Sequence, residues 1–404
     1  MPLASWLQNR GHEVKVVTAF PNYPGGKVYP GYKLKFRQWE EMEGVRVLRV
    51  PLYPSHNSSA VGRIANYTSF ALSASTIGVA LSGSADVAFV YHPPPTVGLA
   101  ALAAKWMRGI PFVYHIADMW PESAAESGML GHGWKKKAVS RVLDGWCRSV
   151  YRQAKYISVL SPGFKRLLVE RGVDAAKIEI IYNWTTDSVF KPLPCDSALK
   201  QQLGLDGKFV VLYAGNVGAY QALDTLLEAA ALLRETPEFQ FVIAGSGQKL
   251  DSLRAQAAEM KLGNVHFLGG RPYWEMPALN SIADVLLVSL RDLPVFRATI
   301  PSKTQVSLAS GRPLLMAVAG DAADVVTRYR AGLVCEPENA GAMADAVVKL
   351  YRMSPEEREI MGRNAREGYV REMSLDVGGA LTEALLMKCC SRAANQRTRA
   401  AVVE

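Results

Sequence analysis

The sequence alternates short apolar runs with longer amphipathic runs, and the whole rhythm occurs twice along the chain. Short runs rich in β-branched and aromatic residues predict strands, and the runs between them have the length and periodicity of helices. Strands separated by helices pair in parallel, so the pattern predicts an α/β protein with two doubly wound domains. The predicted strands are Val14–Thr18, Val45–Val50, Val87–Tyr91, Phe112–His115, Tyr156–Leu160 and Ile178–Tyr182 in the first series, and Phe209–Ala214, Phe239–Ala244, Val265–Leu268, Val285–Ser289, Pro313–Ala317 and Gly332–Cys335 in the second.

The two series meet in a polar stretch, residues 183–208, that has no strand periodicity and carries Pro192 and Pro194. Such a stretch is typical of a linker. We therefore expect a first domain at residues 1–183, a second at 184–372, and a C-terminal helix and tail at 373–404. The end of that tail is expected to fray.

The start of the chain departs from the doubly wound pattern. The opening run MPLASWLQNRG is helix-like and leads directly into the strand at Val14–Thr18. A doubly wound domain begins with a strand and a glycine turn ahead of that helix, so the first strand is expected to be missing. A sheet that lacks a central strand exposes unpaired backbone groups, and we expect the chain with this start to fold poorly or to be inactive.

Charge and cysteine content limit the partners. The formal net charge is +9, and residues 1–182 hold 22 Lys and Arg against 12 Asp and Glu. A basic first half fits a surface that meets phosphates or anionic lipid; the alternative is an ordinary solvated face. The five cysteines form no Cys-x-x-Cys motif, so we expect no disulfide framework, no metal site and a reducing, cytoplasmic compartment. The weakly polar run Phe70–Gly83 is too short to span a bilayer.

Three turns of the second half follow predicted strands and begin predicted helices. They are Gly215–Gly218, Gly245–Gly247 with Lys249 after it, and Ile300–Lys303. Free N–H groups at a helix N-terminus bind anions, and the carboxyl ends of parallel strands share one edge of the sheet. The turns together predict a nucleotide diphosphate site, although each alone is equally typical of a packing turn or a solvated lysine. The candidate residues are Gly215, Asn216, Gly218, Lys249 and Lys303.

Polar residues also follow strands in the first half. Asp118 and Glu122 come after the strand Phe112–His115, and either carboxylate could deprotonate a substrate hydroxyl. The alternatives are a turn carboxylate for Asp118 and a helix-starting residue for Glu122. His92, at another strand end, and Trp120, beside Asp118, are candidates for the acceptor side of a site.

Seven segments spread over nearly the whole chain are distinctive: RGHEVKVVTAFPNYPGGKVYPGY, DMWPES, YAGNVGAYQALDTLLEAA, AGSGQK, NVHFLGGRP, IPSKTQVSLASGRP and GDAADVV. By these segments and their order, the chain resembles the family-4 glycosyltransferases of the GT-B fold, in particular the bacterial enzymes that build exopolysaccharide, O-antigen and colanic acid.

The resemblance implies two Rossmann-like domains that face each other across a cleft. The C-terminal domain would bind a nucleotide sugar, most often a UDP-sugar, and the N-terminal domain would bind a glycan or a polyprenyl-pyrophosphate-linked acceptor. Transfer would retain the anomeric configuration and need neither metal nor cofactor. Lys249, Lys303 and Arg297 would then stabilise the leaving diphosphate. Nucleic acid is not an expected partner.

Two positions depart from the family pattern. Relatives place a basic pair where this chain has Asn216 and Gln221, and a pair of glutamates where it has Ala298 and Val306. One of those glutamates holds the ribose in relatives, so either this chain holds the ribose by another group or the site is degraded. Asp321 and Asp324, just after the next strand, are the candidate substitutes.

The helix predicted at Trp134–Ala154 mixes tryptophans with six basic residues. It predicts either peripheral contact with an anionic membrane or an ordinary sheet-covering helix with a solvated basic face. Two functions compete with glycosyl transfer: a UDP-sugar epimerase of the same two-domain fold, and a degenerate protein that binds nucleotide sugar without turnover. The donor sugar, acceptor and linkage do not follow from the sequence.

Overall fold

The computed structural model of the protein describes residues 1–23, 25–55, 60–126, 133–390 and 399–403. These residues form two compact units. The first holds Met1–Ile181 together with Gly379–Glu404, and the second holds Tyr182–Gly378. Each unit is built on one sheet whose strands are parallel or nearly all parallel, which confirms the predicted α/β class.

The elements follow one another as strand and helix through both units. The strands are β1 (Glu13–Ala19), β2 (Gln38–Met42), β3 (Val45–Val50), β4 (Val87–His92), β5 (Phe112–Ile116), β6 (Tyr156–Val159), β7 (Ile178–Ile180), β8 (Phe209–Ala214), β9 (Phe239–Ala244), β10 (Val265–Gly269), β11 (Val285–Ser289), β12 (Leu314–Ala317), β13 (Gly332–Val334) and β14 (Arg399–Val403). The helices are α1 (Pro2–Asn9), α2 (Ala60–Ser73), α3 (Val79–Leu81), α4 (Gly98–Arg108), α5 (Glu122–Glu126), α6 (Gly133–Gln153), α7 (Pro162–Glu170), α8 (Ser197–Gln202), α9 (Leu223–Leu232), α10 (Leu250–Glu259), α11 (Met276–Ile282), α12 (Pro294–Arg297), α13 (Ser302–Ala309), α14 (Asp321–Tyr329), α15 (Ala340–Arg352), α16 (Pro355–Glu372) and α17 (Leu375–Cys389).

The sheet of the first unit has the order β2-β3-β1-β14-β4-β5-β6-β7. All neighbouring strands of this sheet pair in parallel except β2, which pairs antiparallel with β3 at the edge. Strand β5 is buried along its whole length, as expected for a parallel strand covered on both faces.

The central place in this sheet, between β1 and β4, is occupied by β14. Val402 lies opposite Val16 of β1 and Phe89 of β4, in parallel register with both. The expectation that the tail frays is therefore wrong for Arg399–Val403, because the facing edges of β1 and β4 offer backbone groups that a further strand satisfies. Residues 391–398 and Glu404 lie outside the described part of the chain.

A π-helical turn at Ala74–Gly78 joins α2 to α3 in one continuous helix. By length and composition its Val61–Leu81 segment could cross a membrane. One side of it packs on the sheet, where a Cβ at Gly78 would lie 2.7 Å from the Cγ1 atom of Val17. A helix that covers a sheet can have the same length and apolar composition as a membrane-spanning helix. The contact between Gly78 and Val17 is of the kind that a sheet-covering helix makes.

The second unit has a fully parallel sheet in the order β10-β9-β8-β11-β12-β13. Its central strands are buried on both faces: Val211 and Tyr213 of β8 pack toward α9 and α15, whereas Val210 and Leu212 pack toward α11. In this strand order the chain changes direction between β8 and β11. Open α/β sheets bind their ligands at that point, beyond the carboxyl ends of the strands.

Candidate functional site

A cavity of about 440 Å³ opens at the point between β8 and β11 where the strand order reverses. Its walls come from the loops after β8 and β9 and from the first turn of α13. The residues that the following argument uses are Gly215, Asn216, Gly245, Ser246, Ser302 and Lys303. The structure thus brings all three of the predicted turns to one cavity.

The first two turns are held together by backbone contacts that only glycine permits. Gly215 has a φ of +140°, and a Cβ at Gly245 would lie 1.8 Å from the Gly215 carbonyl oxygen. The Val217 N–H donates to the Ser246 carbonyl at 2.9 Å. These contacts give the cavity a rigid rim of main chain, which suits close approach by a phosphate.

Lys303 is the most informative side chain of the cavity. Its Cε atom lies 2.3 Å from where a Cβ on Gly215 would be, so the lysine stem crosses the glycine turn. Burial lowers the pKa of Lys303 to about 8. Within the described residues its ammonium forms no ion pair with a carboxylate. A half-buried cation without a protein counter-ion among the described residues favours an anionic ligand.

Tyr213 ties this lysine to the glycine turn. The Lys303 Nζ atom donates to the Tyr213 hydroxyl at 2.5 Å and lies 4.5 Å from the centre of its ring. The same hydroxyl donates to the Asn216 carbonyl at 2.5 Å. Burial raises the pKa of Tyr213, so the phenol stays protonated and fixes both partners.

The remaining predicted donor residues near the turns have local partners or lie outside the cavity lining. The Gly218 N–H donates to the Gln221 side chain at 2.9 Å, and the Asn216 amide lies 3.4 Å from the same oxygen. Lys249 sits at the start of α10 with its side chain exposed, and its N–H donates to the Val217 carbonyl at 3.0 Å. The roles predicted for Asn216, Gly218 and Lys249 stay predictions.

Arg297 and Asp321 do not line the cavity. The Arg297 guanidinium donates two bonds of 2.6 Å to the Asp292 carboxylate, so its charge is already compensated. Asp321 is buried in the first turn of α14. The donor-binding roles predicted for Arg297 and Asp321 stay predictions.

In the first unit, Asp118 and Glu122 lie just beyond β5, as predicted from the sequence. Asp118 accepts a hydrogen bond from the Ser123 hydroxyl, and burial raises the pKa of its carboxyl. Glu122 forms an ion pair with Arg171. Of the two carboxylates, Asp118 is therefore the one without a cationic partner among the described ion pairs.

His92 and Trp120 are both buried rather than open to solvent. His92 is fully buried, and burial together with His115 lowers its pKa to about 3. It is therefore neutral at physiological pH. The Trp120 carbonyl accepts from Arg171 at 2.9 Å. Direct contact of either side chain with an acceptor stays a prediction.

Sequence reasoning missed several residues of the cavity. Tyr213 lies inside the motif YAGNVGAYQALDTLLEAA, where its position predicts only an apolar strand residue. The contacts of its hydroxyl are seen only in the structure. Phe190 and Tyr273 also line the cavity, with ring centres 5.2 Å apart and edge to face. Tyr273 directly follows the motif NVHFLGGRP, and that position is the sequence signal from which it could have been predicted as a cavity residue.

The described residues contain no group of three or more His, Cys, Asp or Glu side chains placed to hold a metal ion.

Two family models match consecutive parts of the chain. A glycosyl transferase 4-like domain matches residues 1–184, and a model of the glycosyl transferases group 1 matches residues 196–368. The chain belongs to the family-4 glycosyltransferases. Its two units correspond to the two halves of the GT-B fold.

Known relatives of this glycosyltransferase agree with that assignment. The chain is 29% identical over 390 residues to WcaI of Escherichia coli K12, named as a colanic acid biosynthesis glycosyl transferase, covering 93% of this chain and 94% of that one. It is 25% identical over 288 residues to the glycosyltransferase WbjE of Pseudomonas aeruginosa, covering 70% of each. Among solved structures, HepE of Anabaena in complex with UDP superposes with a TM-score of 0.69 and 17% identity, covering 93% of this chain and all of that one.

Proposed function

We propose that this glycosyltransferase moves a sugar from a UDP-sugar to a hydroxyl of a glycan or polyprenyl-pyrophosphate-linked acceptor in the synthesis of a bacterial surface polysaccharide. The observation that carries the proposal is the half-buried Lys303 ammonium, which has no carboxylate partner among the described residues. A nucleoside diphosphate supplies the missing negative charge. The name of WcaI and the UDP bound in HepE support the pathway and the nucleotide.

In the proposed step, the bond between the anomeric carbon and the diphosphate oxygen breaks, and the acceptor oxygen bonds to that carbon. The leaving diphosphate takes the electron pair and gains negative charge. Lys303 and the backbone of the Gly215 turn stabilise that charge in a partly dry cavity. We propose transfer with retention, without a metal ion or cofactor.

The proton of the acceptor hydroxyl needs a base. We propose Asp118 for this role, because Glu122 is engaged by Arg171 whereas Asp118 has only hydroxyl and backbone partners. The raised pKa of this carboxyl lies closer to the pKa of the hydroxyl whose proton it must take. The acceptor is accordingly assigned to the first unit and the donor to the second.

We further propose a cytoplasmic enzyme whose first unit contacts an anionic membrane surface through the N-terminal half of α6. Trp134 and Val142 of that half are about three-quarters exposed, at 75% and 73%. Lys137 and Arg141 are exposed beside them. Exposed apolar side chains interleaved with cations are typical of helices that lie in a lipid interface.

Thermal shift and calorimetry with UDP, GDP, ADP and NAD test the donor site. We expect UDP to stabilise the protein, and Lys303→Met, which keeps the stem but removes the charge, to weaken UDP binding by about 10- to 100-fold. Lys349→Ala is the control, because Lys349 is an exposed lysine in the last turn of α15. Equal UDP affinity for the Lys303→Met variant and the wild type would contradict the proposal.

A further inference from the structure

The cavity between β8 and β11 has two kinds of lining. The glycine turns and the start of α13 form one part, where Ser246, Ser302 and Lys303 place polar groups beside the proposed site of the diphosphate. The other part is an apolar wall that includes Met276 of α11 and Val306 of α13. A diphosphate bound at the turns leaves this apolar wall to the pentose and base of the nucleoside.

The apolar wall is one continuous surface. Phe190 lines the cavity and belongs to a buried core cluster of the second unit, and both Met276 and Val306 pack against that cluster. Val306 is half-buried and lies three residues after Lys303, so the two side chains share one side of α13. The wall therefore begins within one helical turn of the cation that the diphosphate would meet.

Acidic side chains do not take part in this lining. Among the described residues that line the cavity, none is an aspartate or a glutamate. Nucleotide-binding α/β folds commonly use an acidic side chain to accept a hydrogen bond from the ribose 2′-hydroxyl. Such a bond is about twice as strong as one between neutral groups. The apolar wall offers the 2′-hydroxyl no partner of this strength.

One neutral acceptor lines the cavity instead. Asn280 is 2% exposed, and its amide nitrogen donates to the Ser310 hydroxyl at 3.0 Å. The amide oxygen has no hydrogen-bond partner among the described residues, so it is left to accept an N–H or O–H group of a ligand. Uracil and thymine present the same imide N–H, and an acceptor of this kind does not distinguish their nucleotides.

We propose that this cavity binds a 2′-deoxyribose as well as it binds a ribose, so that sugars of thymidine diphosphate are donors alongside sugars of uridine diphosphate. A site built to bind a hydroxyl strongly rejects the analogue that lacks it, whereas an apolar site discriminates weakly. The 5-methyl group of thymine adds apolar surface, which suits an apolar wall. The inference rests on the proposed glycosyl transfer and deepens it, because it names the nucleotide class of the donor.

Calorimetry on the full chain with UDP, dUDP and dTDP tests the proposal. UDP and dUDP differ only in the 2′-hydroxyl, and dUDP and dTDP differ only in the methyl group, so each pair tests one chemical group. We expect dUDP to bind less than fivefold more weakly than UDP, and dTDP to bind as tightly as dUDP or up to about fourfold more tightly. Whichever hexose is transferred, kcat/KM for its thymidine and uridine diphosphate forms should differ by less than fivefold.

The outcomes separate this proposal from the donor site itself. UDP binding with a loss of fivefold or more for dUDP, or a further loss of fivefold or more for dTDP, overturns the inference and leaves the proposed donor site intact. Failure of all three nucleotides to bind the folded protein overturns both.

A gain of discrimination at Val306 tests the place of the ribose. Val306→Glu adds a carboxylate to the wall and should raise the ratio of UDP to dUDP affinity by about tenfold. Val306→Gln is the matched control, because it has the same length without the charge and should raise the ratio less. The added carboxylate also lies one turn from Lys303 and weakens both nucleotides, so the ratio is the readout. An unchanged ratio in folded Val306→Glu protein overturns the assignment of this wall to the ribose, and the comparison of nucleotides on the wild type decides the proposal if that variant does not fold.

Discussion

At the scale of single residues, Arg49 and Lys303 differ in how their positive charge is compensated. Arg49 pairs with Glu40 at 2.6 Å, whereas the Lys303 ammonium donates to the neutral Tyr213 hydroxyl, lies over its ring, and pairs with no carboxylate among the described residues. Burying a charge is costly unless an opposite charge accompanies it. The protein therefore supplies the counter-ion in the first unit and leaves it to the ligand in the second.

The lowered pKa of Lys303 predicts how UDP binding depends on pH. The lysine of the empty site is charged below about pH 8 and loses its proton as the pH rises through 8. Since the diphosphate binds the charged form, affinity for UDP should be level near pH 7 and fall by roughly tenfold per pH unit above 8. Calorimetry at pH 7, 8 and 9 measures this. The Lys303→Met variant should show a much flatter profile, and an equally steep decline in both proteins would assign the titration to another group.

The residues of the proposed donor cavity were partly predictable from the sequence. Gly215, Asn216 and Lys303 could be named because strand, glycine turn and helix follow one another in the chain, and that local order fixes where the turn lies. Tyr213 could not be named, because its role depends on the contact with Lys303 across ninety residues of chain. Contacts between side chains so far apart in the sequence cannot be predicted from local periodicity.

At the scale of elements, every predicted strand is present, and the ends differ by at most two residues. Apolar runs of parallel strands are unambiguous because both faces are buried. Strand β2 was missed since its sequence, QWEEM, is polar and lies at an exposed edge. Helix α5 begins at Glu122, in agreement with the alternative that Glu122 starts a helix.

The basic helix α6 gives an element-scale prediction. If its N-terminal half lies on lipid, Trp134→Ser should reduce co-sedimentation with anionic vesicles, and Lys137→Ala with Arg141→Ala should cost about 1 kcal/mol for each charge removed, or roughly fivefold in partitioning. Lys388→Ala is the control, since Lys388 is an exposed lysine of the same unit that faces Glu179. Vesicle binding that stays unchanged in all the α6 variants would reduce this helix to an ordinary solvated face.

At the scale of the whole molecule, the first sheet is continuous because a strand from the other end of the sequence lies between β1 and β4. Parallel pairing of β14 with both β1 and β4 places Arg399–Val403 where a doubly wound sheet has its first strand. Nothing in local sequence predicts this, because RAAVV is short and follows a polar tail. The place of this strand can be recognised only when the gap between β1 and β4 is known.

Deletion of residues 399–404 tests whether this pairing holds the first unit together. Each lost backbone hydrogen bond costs about 0.5–1.5 kcal/mol, and domains are stable by only about 5–15 kcal/mol. The deletion should therefore unfold the first unit or lower its melting temperature sharply. Hydrogen exchange should show lost protection in β1 and β4, whereas β8 and β11 of the second unit serve as the internal control. Val402→Pro, which removes one N–H from the ladder, should act in the same direction more weakly. Full protection of β1 and β4 in the deleted protein would mean that they do not depend on β14 in solution, and it would contradict this prediction.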